Sequence, residues 1–376
     1  MNTLKLRVPF SILLAVFLLT SCKSSENEAV PKIELPELSD SGAADTETTV
    51  STEAAGYDCP NVYEVNTGAN ISFQAEVIVP QEVRENGLYD VEIAVQTVDG
   101  EAALSVLFQD DTVTKTLEIE TDDGPAFYYY GEDKSLNANP YTLFYMTSFF
   151  EYTNNTFHLV GSNANQDLYD TGTQFDFISS GDAYAYLCEI AAAFGLDING
   201  SYHCYSLDYE TMEGEEYAIE QKKGEEDTSV YKPSWTEEDN SYYFTIFQTE
   251  QGLRVHYPLS GVFYKLTEEN ATVQGLVSAN GIEMFDISCV FTFTPTGEIL
   301  TLLPFKDIVD VVTQKYGMIL SDNTYTVESA ELFWRVLKNS GGFSITPSWE
   351  IIIRELPSES EVYMYVDALT GEEQIW

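Results

Sequence analysis

The chain has 376 residues and carries 62 acidic side chains against 17 basic ones, a formal charge of −45. A field of that sign repels nucleic acid and anionic lipid headgroups, so nucleic-acid binding is excluded, while cations, basic peptides or a basic protein would be attracted. Hydrophobic residues make up 44% of the chain, ample for a core, and the length suggests two or three units. The 25 Tyr, 21 Phe and 4 Trp suit tyrosine-rich strands, and exposed rings among them could stack on sugars or grip a peptide.

At the N-terminus, Lys5 and Arg7 precede an apolar run from Val8 to Leu19. That run is too short to span a bilayer and has the length of a signal-peptide core. It ends in Leu19-Thr20-Ser21-Cys22. Small residues just before a cysteine resemble the lipobox of bacterial lipoproteins. The resemblance implies a signal peptide over 1–21, lipidation of the Cys22 thiol by acyl chains such as palmitate, and a mature chain that begins at Cys22. The expected location is the outer, extracytoplasmic face of the cell membrane, with the lipid as anchor. Residues 22–56 are small, polar and acidic, with too little apolar surface to repay ordering, and read as a disordered tether.

From Ile71 to Val79 apolar and polar residues alternate up to Pro80, and Tyr89–Val95 alternates again, both as strands. A short helix is expected over 101–108, a strand over 115–120 and a ring-rich strand over 127–130. Residues 141–150 and 156–160 read as further β-structure. Tyr184, Leu187, Cys188, Ala191 and Phe194 share one face of a helix over 182–194, which Gly195 ends. A strand over 202–209 follows. Residues 210–240 are crowded with acids and read as a solvated loop, the best boundary between halves. Beyond it, strands are expected over 242–248, 253–257 and 261–266. A hairpin turns on Asn280-Gly281 between 271–278 and 282–293. A helix over 304–316, a strand-forming stretch over 324–337 and strands over 348–355 and 361–368 complete the chain. The text lacks the βαβα alternation of a doubly wound sheet. The expected fold is α+β, antiparallel sheets each with one or two packed helices, divided into an N-terminal domain 57–235 and a C-terminal domain 236–376.

Gly252-Leu-Arg-Val255, Ser278-Ala-Asn-Gly281-Ile282, the helix over 304–316, Ile345-Thr-Pro347-Ser-Trp349-Glu-Ile351 and Tyr365-Val-Asp367-Ala-Leu-Thr370-Gly371 occur in that order. This stretch, roughly 241–376, resembles the YycH/YycI regulatory proteins and PepSY-like modules of exported bacterial proteins. The whole layout also resembles uncharacterised lipoprotein families of unknown function. The residues that carry the likeness look structural: Pro347 to start an edge strand, Trp349 to fill a core, Asp367 and Gly371 to shape a last turn. A lipid stands here where YycH and YycI have a membrane helix, so the resemblance implies fold more than partner.

Chemistry is sparse. Cys59, Cys188, Cys204 and Cys289 form no C-x-x-C pair, and Cys188 with Cys204 is the candidate disulfide, weighed against buried free thiols. His158, His203 and His256 are scattered, with no H-x-x-x-H pair for zinc. Asp167, Asp170 and Asp176, near Asn163 and Asn165, lack the spacing of a calcium loop. No G-x-S-x-G elbow is present. No catalytic residue, metal ligand or cofactor is assigned. The expected function is a non-enzymatic lipoprotein that binds or regulates an envelope protein through an acidic, tyrosine-rich face. Alternatives are a solute-binding lipoprotein for sugars or peptides and a carboxylate-pair hydrolase. The oligomeric state stays open.

Overall fold

In Ile71–Ile78 the side chains of Ile71, Phe73, Ala75 and Val77 are buried while Gln74, Glu76 and Ile78 face out, the period of a half-buried strand. This strand is β2 of a computed structural model that describes residues 56–67, 70–109, 111–121, 124–159, 164–169, 172–222, 231–257, 271–319, 322–339 and 342–374. The signal peptide 1–21, Cys22, the tether up to residue 55 and the strand expected over 261–266 lie outside the described residues. Tyr57 Oη donates to Leu303 O at 2.9 Å, and the Arg84 guanidinium reaches the carbonyls of Cys59, Pro60, Val77 and Val79.

The remaining strands are β1 (Val62–Asn66), β3 (Leu88–Val95), β4 (Lys115–Thr121), β5 (Gly124–Tyr130), β6 (Lys134–Ala138), β7 (Thr142–Thr147), β8 (Gly200–Leu207), β9 (Ser241–Glu250), β10 (Leu253–His256), β11 (Val273–Ser278), β12 (Gly281–Ser288), β13 (Phe291–Leu300), β14 (Thr324–Asn339), β15 (Gly342–Leu356), β16 (Ser360–Asp367) and β17 (Glu373–Gln374). The helices are α1 (Gln81–Asn86), α2 (Gly100–Phe108), α3 (Ser148–Thr156), α4 (Ser180–Ala193), α5 (Tyr209–Lys222) and α6 (Phe305–Gly317). The fold is α+β with mostly antiparallel strands. The parallel pairings among the described residues are β2 with β14 and β10 with β14.

Strands from the two expected domains are hydrogen-bonded to each other: β2 to β14, β3 to β13, β7 to β12 and β8 to β9. The boundary at 235/236 therefore does not separate two sheets, and residues 53–376 cluster as one unit. The cores divide the chain differently. One core gathers β2, β3, β14, β15, β16 and α6 around Phe305, Trp334 and Trp349. It draws on residues 71–91, on Leu253 and Val255 and on 289–368, an outer lobe. Between those stretches lies an inner lobe whose strands run β8-β9-β11-β12-β7-β6-β5-β4. Its sheet is covered on both faces. Leu107 and Phe108 of α2 and Ala183, Leu187 and Ala191 of α4 pack one face, while Phe149 and Phe150 of α3 and Met212 of α5 pack the other. A Cβ on Gly275 would stand 2.8 Å from Leu187 Cδ1, so β11 needs glycine for α4 to approach.

Several local expectations are corrected. Residues 141–150 begin as β7 but turn into α3 at Ser148, and Thr156 to Leu159 form no strand. The acidic stretch after 208 is a helix, α5, because Glu, Met, Ala, Gln and Lys are good helix formers and Asp208 caps the first turn through Thr211 N at 2.9 Å. The strand read over 282–293 breaks at Cys289, which has φ +55°, and β13 leaves to pair with β3. Pro347 does not start an edge strand. It lies inside β15, opposite Trp334 on β14, and its carbonyl accepts from Ala368 N at 3.0 Å.

Candidate functional site

The site forms where β8 hands over to α5. Asp208 ends the strand and caps the helix, and Tyr209 N donates to Asn240 Oδ1 at 2.9 Å. A 3-10 turn over Glu237–Asp239 sits beside it. Thr236 N and Thr236 Oγ1 donate to Asp239 Oδ2 at 2.8 and 3.3 Å, which uses up Asp239 and leaves Glu237 and Glu238 exposed. On the opposite wall, Phe175 N donates to Tyr242 Oη at 2.6 Å, and Tyr242 Oη donates to Ile178 O at 3.2 Å. This pins the Phe175 and Phe177 rings, stacked at 6.0 Å with planes 13° apart, over the Tyr242 ring at 5.0 and 5.6 Å.

Between these walls runs a cleft of about 450 Å³ lined by Gln174, Phe175, Asp176, Phe177, Asp208, Tyr209, Glu210, Glu237, Glu238, Asn240 and Ala279. Its walls hold the carboxylates of Asp176, Asp208, Glu210, Glu237 and Glu238 and, among the described residues, no lysine or arginine. The Tyr209 hydroxyl donates to Glu210 Oε1 at 3.1 Å. That bond and the neighbouring Glu210 charge, with Glu237 and Glu213 behind, make the phenol harder to ionise. Carboxylates beside ring faces are what an ammonium or guanidinium group binds best, through charge-assisted hydrogen bonds and cation–π contact.

The wall is braced from behind. Glu216 on α5 is 7% exposed and accepts from Trp235 Nε1 at 2.7 Å and from Lys232 N at 2.8 Å. The Lys232 ammonium pairs with Asp239 at 2.9 Å. The segment that carries Glu237 and Glu238 is thus tied to α5 through buried Glu216 and braced within itself by Asp239.

The other sequence candidates lie elsewhere. Cys188 on α4 and Cys204 on β8, the candidate disulfide weighed against buried free thiols, are both free thiols. Burial raises the Cys188 thiol, with a hydrogen bond from Tyr184 acting the other way, and pushes Cys204 up to about 12, so both stay protonated and unreactive. Cys59 is a free thiol as well. The histidines are dispersed: His158 follows α3, His203 is on β8, and His256 on β10 is held neutral, pushed down to about 3 by burial and then by Arg254 and Arg335. Asn165 spends its amide on His158 N, Thr156 O and Glu215 rather than on a cation. Asn163 and Asp170 are outside the described residues. Among the described residues no group of three His, Cys, Asp or Glu side chains is placed to hold a metal ion.

One titratable group escaped the sequence reading. Asp286 sits in β12 between Gln274 on β11 and Phe144 on β7, and burial alone lifts its carboxyl to about 6. The signal was visible as a single acid inside Met284-Phe285-Asp286-Ile287.

No protein-family model matches the sequence, and no curated protein matches it. Among solved structures, the chain is similar to an uncharacterised protein from Eubacterium rectale, with a TM-score of 0.53 at 14% identity over 84% of this chain and 94% of that one. At that identity the likeness concerns the fold alone. The Bacillus megaterium YpeB C-terminal domain aligns at a TM-score of 0.29 and 11% identity over 74% of this chain and 97% of that one, too low to carry an argument.

Proposed function

We propose that this chain is a non-enzymatic lipoprotein, held by lipid on Cys22 at the extracytoplasmic face of the membrane, that binds a basic envelope protein in the cleft between Phe175 and Glu238. The carrying observation is the cleft itself, a ring-lined recess with five carboxylates and no cation among its lining residues. Acidic surface of this kind steers a basic partner to the site and sets its orientation. The outer lobe acts as a PepSY-like scaffold: Trp349 fills the core, and the Asp367 carboxylate caps the last turn through Leu369 N and Thr370 N at 2.9 Å.

Two changes separate anchor from binding. Cys22→Ala is expected to release the protein from the membrane fraction and leave binding intact. Glu237→Lys with Glu238→Lys is expected to leave the protein in the membrane and to weaken its capture of a basic partner by about tenfold or more. Undiminished capture by the charge-reversed protein contradicts the role of the cleft. Membrane retention of the Cys22 variant contradicts the anchor.

A further inference from the structure

The inner sheet ends, on the side away from β8, in a strand whose outer edge no other strand pairs with among the described residues. β4 pairs with β5 in unbroken register, from Lys115 opposite Tyr130 to Thr121 opposite Gly124, and is the last strand of the run. Leu117 and Ile119 point to one face and are 40% and 46% exposed; Glu118 and Glu120 point to the other and are also exposed. Natural sheets blunt such edges with proline, bulges, inward charges or shortness. β17 has two residues, and the β3–β13 ribbon is interrupted by a bulge between Pro295 and Ile299. β4 has seven residues, no proline and no bulge.

A groove adjoins this edge on the glutamate face. Glu118 stands opposite Phe127 in the ladder. The Phe127 and Tyr129 rings stack at 6.4 Å with planes 17° apart and line a recess of about 250 Å³ together with Glu101 and Pro125. The Tyr129 hydroxyl is made less acidic by burial and then by the charges of Glu101 and Glu118, which places both carboxylates within electrostatic reach of the ring.

We propose that the β4 edge takes up an extended basic peptide as an added strand, with alternate Lys or Arg side chains over Glu118, Glu120 and the Phe127–Tyr129 rings and the intervening aliphatic side chains over Leu117 and Ile119. Main-chain hydrogen bonds supply affinity in this mode, and the alternation of side chains supplies selectivity. A second copy of the chain is a poor occupant. The two-fold pairing that matches Leu117 with Ile119 sets Glu118 against Glu118 of the other copy, in a chain of charge −45. The surface is separate from the cleft, since β4 and β8 are opposite ends of the strand run.

The test uses the full chain carrying Glu237→Lys and Glu238→Lys, so that the cleft is reversed in charge, and a fluorescent heptapeptide of alternating lysine and valine read by anisotropy. The peptide is expected to bind this background. Adding Glu118→Lys and Glu120→Lys should weaken it about tenfold or more. Of two peptides N-methylated on alternate residues, the one whose methyls replace the N–H groups facing β4 should fail to bind, and the one methylated on the N–H groups facing away should bind like the parent. Equal binding of both methylated peptides, indifference to the β4 reversal, or loss of binding already in the cleft-reversed background overturns the proposal. So does a dimer of the full chain that the β4 reversal dissolves.

Discussion

Both lobes bury aromatic rings in their cores, but the inner lobe also sets rings at its surface. In the outer lobe Trp334 and Trp349 are fully buried, the Phe305 ring lies 5.1 Å from Trp349, and the motifs that invite comparison with other proteins close turns and fill the core. In the inner lobe the rings of Phe175, Phe177, Phe127 and Tyr129 stack at the surface beside carboxylates. The sheet of the inner lobe is sealed on both faces by helices, so its cleft and open edge are built at its ends. Motif-like text marks the scaffold here, while the proposed binding surfaces lie in stretches that read as ordinary acidic loops and edge strands.

Three substitutions sharpen that contrast. Trp349→Ala should be the most damaging, costing about 3–5 kcal/mol in urea unfolding through lost burial and the cavity left. A loss under about 1 kcal/mol would mean that the outer core is not the scaffold described. Glu216→Ala should cost about 2–3 kcal/mol, because it strands the Trp235 indole N–H and loosens the segment that carries Glu237 and Glu238. It should also weaken cleft binding, which Trp349→Ala at a temperature where the protein stays folded should not. Asp286→Asn has the smallest effect, and its sign reverses the usual one. The carboxyl is held up at about 6 in the folded chain against a lower value when unfolded, so the unfolded state ionises first. Stability from this group is full below the unfolded value and falls as pH rises through about 6. Asp286 keeps some open surface, so removing the charge should stabilise the protein by only about 1–2 kcal/mol at pH 7 and by almost nothing at pH 4. Equal effects at both pH values would show that the carboxyl is ordinarily solvated.

Elements with clean periodicity were legible in the sequence. β2, β3, β11 with β12, α4 and α6 stand within a few residues of where alternation, Asn280-Gly281 and the helical face put them. Charge density misled in α5: Glu210 and Glu213 lie on the exposed side of a helix whose Met212 is fully buried, so polarity there reports a face rather than a loop. What links the two sides of residue 235 is long-range strand pairing. β2 runs parallel to β14, and β3 pairs with β13 some two hundred residues away, pairings that no local pattern announces. The cleft was legible only as composition. An acidic, aromatic face was expected, but its members come from 174–177, 208–210 and 237–240, brought together by Tyr242 and Asn240.

The central claim is that this cleft receives a basic protein. A photo-crosslinking amino acid placed at Ala279, an exposed residue in the cleft lining, tests it in cells. Irradiation of the native envelope should yield one discrete crosslinked protein with a lysine- or arginine-rich surface, and the band should disappear when Glu237→Lys and Glu238→Lys are added. A crosslink that survives the charge reversal, or glycan adducts in place of a protein, would contradict the account.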